Sequence, residues 1–243
     1  MKPFLYIDPS RGVSADMLLA ALLDLGVPAE TIEAFARRVV PGRLRIRAER
    51  VRRRSMGGLR LWLHVRLRRP LPRAAGDVVR AVERSPLPAA IRSQTARAWK
   101  VLARAEGRVH GVGWRRVRFR QVGGVDTWAC FAGFCAGLAR LGVKRVFVGP
   151  VRLGMYHRDH GGRPSRTPGP ATLRLLKPFR LQRKRDRFEW TTPTGAALLA
   201  AFGTPAAPPA FRVLGIGHGF GHARAPGGPR ALRLILADVQ RKC

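Results

Sequence analysis

The chain has 243 residues, of which 46% are hydrophobic and 25% are charged, a balance that is typical of a globular protein and excludes an intrinsically disordered one. It is long enough to bury an apolar core without disulfides, and its three cysteines are too few for a disulfide framework. The formal net charge is +33, from 47 basic and 14 acidic residues.

Almost all of the basic residues are arginine, which keeps its charge at any accessible pH and binds phosphate or carboxylate with a planar fork. An anionic partner would explain this excess, and a compositional bias that spreads charge over solvated faces explains it equally well. Residues 1–36 are acidic, so we expect them to attract the basic remainder of the chain and to offer a place for a cation.

Residue spacing and turn residues predict a series of interleaved helices and strands. In chain order these are a strand at 4–7, helices at 15–25 and 28–39, strands at 43–48 and 59–67, helices at 74–84 and 88–109, a strand at 117–120, a helix at 126–141, a strand at 145–148, an irregular Gly- and Pro-rich stretch at 149–170, a helix at 194–202, and strands at 211–216 and 231–236. Ser14 is expected to cap the first helix. This order predicts an α+β or mixed α/β fold, with a subdomain boundary near 70–88 or 111–117.

The two strands at 43–48 and 59–67 alternate apolar with basic side chains, and Gly57-Gly58 lie near their junction. This pattern predicts an antiparallel hairpin with one buried face and one basic face. The basic face contains Trp62 and is compatible with nucleic-acid binding, although a merely solvated face is the favoured interpretation. No run reaches the ~18 apolar residues of a membrane span and no signal-like leader opens the chain, so we expect a cytoplasmic protein.

The stretch Asp8-Pro9-Ser10-Arg11-Gly12-Val13-Ser14-Ala15-Asp16-Met17 places two carboxylates around a turn at the start of a helix. Such a turn suits either a hard cation held by the carboxylates or a phosphate held by backbone amides. Alternatively, Asp16 only complements the helix dipole.

The densest group of metal-type ligands is Tyr156-His157-Arg158-Asp159-His160, in the predicted loop. Imidazole nitrogens suit nickel, and a loop can admit and release an ion, but an ordinary polar loop is the alternative. Glu106 and His110 share a helix face, either as metal ligands or as a surface pair. His218 and His222, in a run of alternating glycines, are a weaker signal.

Thr191-Thr192-Pro193-Thr194-Gly195 opens a predicted helix with hydroxyls and amides at its dipole-positive end. This end can hold the phosphate or carboxylate of a mononucleotide. Thr192 can equally serve as the N-cap with Pro193 in the first helical position, and both roles are compatible.

Several of these motifs, in this order, resemble the LarC family of nickel insertion proteins. The resemblance runs through Asp8 to Met17, Val109-His110-Gly111, Val122 to Asp126, His160-Gly161, Pro168 to Leu176, Glu189 to Leu199 and the expected turn at Ile216 to Gly221. It implies a metal chelatase, classed as a lyase, that inserts nickel into pyridinium-3,5-bisthiocarboxylic acid mononucleotide while CTP is consumed.

The resemblance also implies a set of site residues. The nickel candidates are Asp8, Asp16, Asp126, His157 and His160, and the candidates for binding the mononucleotide cofactor precursor are Thr191, Thr192, Thr194 and Gly195. In the family a further C-terminal domain carries the site for CTP and its divalent metal, and we expect this site to be missing here or to lie on a separate chain.

The chain departs from the family pattern at three places, one of which is the lack of a His-rich segment that is common in the family. Arg118-Phe119-Arg120-Gln121 stands where the family usually reads His-x-His-Glu, and Cys130 stands where a second Asp is common. A guanidinium removes a ligand and adds a repelling charge, so this segment is not expected to hold nickel. The alternative function is therefore a non-catalytic anion-binding protein, in which Arg118, Arg120 and the basic strands hold a nucleotide, nucleic acid or an acidic protein.

Overall fold

The computed structural model describes residues 3–53, 55–120, 122–154, 156–158, 164–166, 168–183, 186, 188–223, 225, 228 and 230–239, with the backbone alone at 156–158 and 164–166. The helices in these residues are α1 (Ala15–Asp24), α2 (Ala29–Arg37), α3 (Ala75–Glu83), α4 (Ala89–His110), α5 (Val125–Arg140), α6 (Pro170–Leu176) and α7 (Pro193–Phe202). The strands are β1 (Phe4–Asp8), β2 (Gly42–Arg53), β3 (Met56–Leu67), β4 (Arg145–Val148), β5 (Val151–Leu153), β6 (Tyr156–Arg158), β7 (Pro164–Arg166), β8 (Leu181–Arg183), β9 (Gly203–Thr204), β10 (Phe211–Phe220) and β11 (Ala231–Val239).

The main sheet within these residues has seven strands in the order β2-β3-β10-β11-β1-β4-β9. Its pairing is mixed, because β1 is antiparallel to β11 and parallel to β4. The predicted α+β class is therefore confirmed. The predicted hairpin is also confirmed: β2 and β3 pair in an antiparallel register from Gly42 opposite Leu67 to Arg53 opposite Met56.

The main core lies between this sheet and the helices. Its largest fully buried side chains include Trp99 of α4 and Trp128 of α5, whose ring centroids lie 5.4 Å apart. One cluster of buried side chains extends from Leu5 to Leu234 and includes residues of α3 and α4. The subdivision near 70–88 or 111–117 stays a prediction. Within the described residues, no helix is both long enough and apolar enough to cross a membrane.

Two predictions between residues 117 and 170 were wrong. Residues 117–120 do not form a strand, because their pairing is limited to one bridge between Ala74 and Arg118, next to the point where α3 begins. The stretch 149–170 is not wholly irregular: it contains β5, β6 and β7, of which β5 pairs with β8 and β6 pairs with β7. These partners are short and lie outside the main sheet, so apolar alternation gave no signal for them.

Most of the run of alternating glycines, Gly215 to Gly219, lies in a strand rather than in the expected turn. β10 continues to Phe220, and its glycines face α1. A Cβ on Gly217 would overlap the carbonyl oxygen of Ala21, and a Cβ on Gly219 would overlap that of Met17. The backbone of α1 therefore lies directly against β10, which only glycine permits.

Replacement of Gly219 by alanine should destabilise the fold severely. The added methyl group meets backbone atoms that cannot rotate away, so we expect a loss of about 3 kcal/mol or more in the free energy of unfolding, measured by urea denaturation. The matched control is Gly57→Ala, since a Cβ there meets nothing within 4 Å. Equal stability of the two variants would show that α1 does not lie this close to β10.

Candidate metal and substrate site

The opening motif and the threonine motif lie side by side. Val13 forms a parallel bridge with Thr191: the amide of Val13 donates to the carbonyl of Trp190 at 2.9 Å, and the amide of Thr192 donates to the carbonyl of Val13 at 3.0 Å. Gly12, at φ +96°, makes this approach possible, since a Cβ there would lie 2.5 Å from the carbonyl oxygen of Trp190. The first turns of α1 and α7 are therefore held together.

The first turn of α7 has the predicted cap. The Thr192 hydroxyl accepts from the amide of Gly195 at 3.2 Å, and Pro193 occupies the first helical position. Thr191 is buried and donates to the carbonyl of Arg152 at 2.8 Å. Thr191, Thr192 and Gly195 therefore have structural roles, while Thr194 is half-buried, with its hydroxyl 3.2 Å from that of Thr192.

The first turn of α1 lacks the side-chain cap that was predicted for it. Ser14 occupies the N-cap position with an extended backbone, but its side chain makes no capping hydrogen bond. The hydroxyl oxygen is buried and has no partner among the described residues. Ser14 is instead packed against α7, since a Cβ on Gly195 would lie 2.9 Å from the Cα of Ser14.

Asp16, in the first turn of α1, lies near an imidazole and a guanidinium. Its Oδ2 lies 3.8 Å from Nε2 of His222, the residue that comes two positions after the end of β10. The His222 ring lies against Trp62, with centroids 4.3 Å apart. Arg230 is nine-tenths buried, and its burial lowers the pKa of the guanidinium, while the carboxylates of Asp16 and Glu189 oppose that shift. Asp16 thus has a partly exposed carboxylate that interacts electrostatically with a buried guanidinium.

Asp126, in the first turn of α5, shares a neighbour with Asp16. Burial raises the pKa of the Cys130 thiol well above its ordinary value, and the nearby carboxylates of Asp16 and Asp126 raise it further. Two of the predicted metal ligands, from different helices, therefore act electrostatically on the same thiol. Cys130 is a protonated, packed side chain and not a ready thiolate.

Asp8 has a partner of its own. It lies opposite Arg233 in the β1–β11 register, accepts from Nη2 of that guanidinium at 2.6 Å, and accepts from the amide of Ser10 at 3.1 Å. Burial alone would raise the pKa of Asp8, but the hydrogen bonds from Ser10 and Arg233 outweigh it and lower the pKa. Sequence reasoning missed Arg233, because the contact spans 225 residues of chain.

The structure does not complete a metal site from the predicted ligands. The side chain of His157 is not among those described, and His160 lies outside the described residues. Within the described part, no group of three or more His, Cys, Asp and Glu side chains is placed to hold a metal ion. Among the predicted ligands that the structure describes, Asp16 and Asp126 share only their electrostatic influence on Cys130.

A cavity of about 620 Å³ borders this region. It is lined by Glu106, His110, Val112, Arg116, Val117, Arg118, Phe119, Arg120, Val122 and Pro193. Pro193 belongs to the first turn of α7, and Val122 precedes the helix that carries Asp126. Nε2 of His110 lies 3.6 Å from Oε2 of Glu106, on the shared helix face that their spacing predicted. Burial raises the pKa of Glu106, and the nearby His110 offsets part of this rise.

Fold and site together define a protein with carboxylates in the first turns of two helices and an arginine-lined cavity next to the start of α7. A profile of the family described as nickel insertion protein matches residues 5–242. The chain therefore belongs to the nickel insertion protein family, as the sequence resemblance predicted.

Three relatives illustrate the family. The chain is 36% identical over 242 residues to a protein of Geobacter sulfurreducens, and the match covers 98% of this chain and 62% of the relative. It is 37% identical over 242 residues to a protein of Roseiflexus castenholzii, and that match covers 98% of this chain and 60% of the relative. Both relatives are provisionally named nickel insertion proteins. It is 34% identical over 257 residues to the pyridinium-3,5-bisthiocarboxylic acid mononucleotide nickel insertion protein of Akkermansia muciniphila, covering 100% and 62%. The chain thus spans less than two thirds of the length of these relatives. No solved structure matches it.

The pairing of Asp8 with Arg233 gives a testable dependence of stability on pH. Because the pKa of Asp8 is lowered in the folded state, its stabilising contribution is present above the ordinary carboxylate pKa of about 3.9 and is lost as the pH falls through the folded value. Asp8→Asn should therefore reduce the loss of unfolding free energy between pH 6 and pH 3 by up to about 1 kcal/mol, measured by urea titration.

The matched control for that titration is Asp77→Asn, which removes a carboxylate from an exposed pair with Arg80. We expect it to keep the pH dependence of the unmodified chain. If Asp8→Asn and Asp77→Asn gave the same curve, the ion pair with Arg233 would not contribute in solution.

Proposed function

We propose that the chain takes up nickel and delivers it to a pyridinium bisthiocarboxylate mononucleotide, as a metal chelatase of a nickel-pincer cofactor pathway. Family membership and the name of the Akkermansia muciniphila relative support this substrate. The observation that carries the proposal is the pairing of the opening turn, which leads into Asp16, with the first turn of α7 at Val13 and Thr191, next to the cavity.

Nickel is the cargo in this scheme. Asp16 and Asp126 supply oxygen donors, and His157 and His160 are proposed as the imidazole donors that complete the transient site. Asp8 joins this set only if the cation displaces Arg233. A site of few, partly exposed donors holds an ion loosely, which favours its transfer to sulfur donors of the substrate.

The mononucleotide is proposed to bind with its phosphate at the start of α7. A helix N-terminus presents free amides and the positive end of the dipole to an anion. Thr194 is the proposed hydroxyl donor, while Thr191, Thr192 and Gly195 keep the turn in shape. A CTP site with its divalent metal, on a region or a separate chain that supplies the remaining length of the relatives, completes the proposed system.

The nickel claim can be tested by calorimetric titration of metal-free protein. We expect binding tighter than millimolar, weakened at least tenfold by the double variant Asp16→Asn/Asp126→Asn, because both carboxylate donors are lost. Asp77→Asn is the control for a carboxylate outside the site and should leave the affinity unchanged.

A second pair of variants tests the imidazole donors. His157→Ala/His160→Ala should also weaken nickel binding, whereas His64→Ala, which removes an exposed imidazole of β3, should not. Binding no tighter than millimolar, or affinity that none of the site variants alters, would remove the metal claim.

A further inference from the structure

We propose that the cavity formed by the C-terminal end of α4, residues 112–122 and the start of α7 is a phosphate monoester site, in which Arg116, Arg118 and Arg120 bind the phosphate end of the mononucleotide. The identity of the ligand rests on the proposed function. The anion site itself rests on the geometry and charge of the cavity.

Arg118 and Arg120 project from one side of the extended residues 117–120, and Arg116 ends the short 3-10 helix Trp114–Arg116 just before them. Val117 and Phe119 are buried, at 4% and 2% exposure, while the three arginines are exposed and line the cavity. Successive side chains of an extended chain point to opposite sides, so the burial of Val117 and Phe119 directs Arg118 and Arg120 to the cavity.

The segment that carries the arginines is held firmly. The amide of Ala75 donates to the carbonyl of Val117 at 2.8 Å, and the amide of Phe119 donates to the carbonyl of Arg73 at 2.9 Å. The Phe119 ring lies 5.4 Å from that of Trp99 in the core. A fixed backbone lowers the entropy lost when the guanidinium groups close on an anion.

The charge of the cavity favours an anion. In the described part of the chain, none of the three guanidinium groups forms an ion pair with a carboxylate, and the one carboxylate in the lining, Glu106, already faces His110. Arginine forks match the oxygens of a phosphate, and guanidinium cannot ligate a cation. The first turn of α7, represented by Pro193, adds its dipole from another wall of the cavity.

The size of the cavity is appropriate for this ligand. About 620 Å³ lies in the middle of the usual range of small-molecule sites, roughly 300–1,000 Å³. A mononucleotide therefore fits with its phosphate at the arginines and its ring toward α5, where Asp126 lies. The arginines would then act as specificity-determining residues for the proposed substrate.

Calorimetric titration of the metal-free chain with nicotinic acid mononucleotide, a pyridinium carboxylate mononucleotide, tests the proposal at low salt. We expect binding that weakens as salt rises, because phosphate contacts release counterions. Arg118→Ala/Arg120→Ala should lower the affinity at least tenfold, and Arg118→Lys/Arg120→Lys should lower it less, since charge remains but the fork is lost.

The matched control is Arg97→Ala, which removes an exposed guanidinium of α4 outside the cavity and should not change the affinity. The corresponding riboside, which lacks the phosphate, should bind at least tenfold more weakly. Equal affinity for riboside and nucleotide, or no effect of the double alanine variant in protein with unchanged circular dichroism, would overturn the proposal.

Competition separates this site from a nucleic-acid surface. A single-stranded oligonucleotide could displace the mononucleotide at a concentration lower than that of the mononucleotide itself, and could lose affinity equally in Arg97→Ala and in the double alanine variant. That result would show that the basic surface as a whole binds the anion, and the cavity proposal would fail. Because no metal is present in this experiment, its outcome is independent of the nickel titration. Phosphate binding without nickel binding would contradict the proposed function but not the anion site.

Discussion

The direct contact between the backbone of α1 and one face of β10 is the constraint on which the rest of the site depends. Gly217 and Gly219 leave no side chain between strand and helix, so the helix lies at the closest distance that backbone atoms allow. This contact fixes where α1 begins relative to the end of β10. It therefore brings Asp16, in the first turn of the helix, to His222, which follows the strand.

A second close approach brings α7 into the same region. Gly12 and Gly195 allow the opening turn and the threonine turn to pair at Val13 and Thr191. The first turns of α1 and α7 are then adjacent, and their dipoles favour negative groups there. A helix dipole also stabilises a carboxylate in its own first turn, so Asp16 and Asp126 would hold a cation loosely, as the proposed transfer of nickel requires.

The sequence was sufficient for what depends on local pattern. The hairpin of β2 and β3, the long helix α4 that ends at Gly111, and the cap at Thr192 follow from alternation, periodicity and turn chemistry. The sequence was insufficient where a residue's contacts are made with a partner far away in the chain. The pairing of Asp8 with Arg233 and the burial of Ser14 against Gly195 arise from chain segments far apart in sequence, and no spacing rule reports them. The alternating glycines were noticed, but their reason, the carbonyl groups of α1, becomes visible only in the fold.

The central claim is that nickel and the phosphate of a mononucleotide bind next to each other at these converging helix starts. Diffraction at the nickel absorption edge, from crystals soaked with nickel and nicotinic acid mononucleotide, tests it most directly. The account predicts an anomalous peak within coordination distance of Asp16 and Asp126, and phosphate density against Arg118, Arg120 and the first turn of α7. Anomalous peaks confined to exposed histidines such as His64, with the cavity free of phosphate, would contradict it.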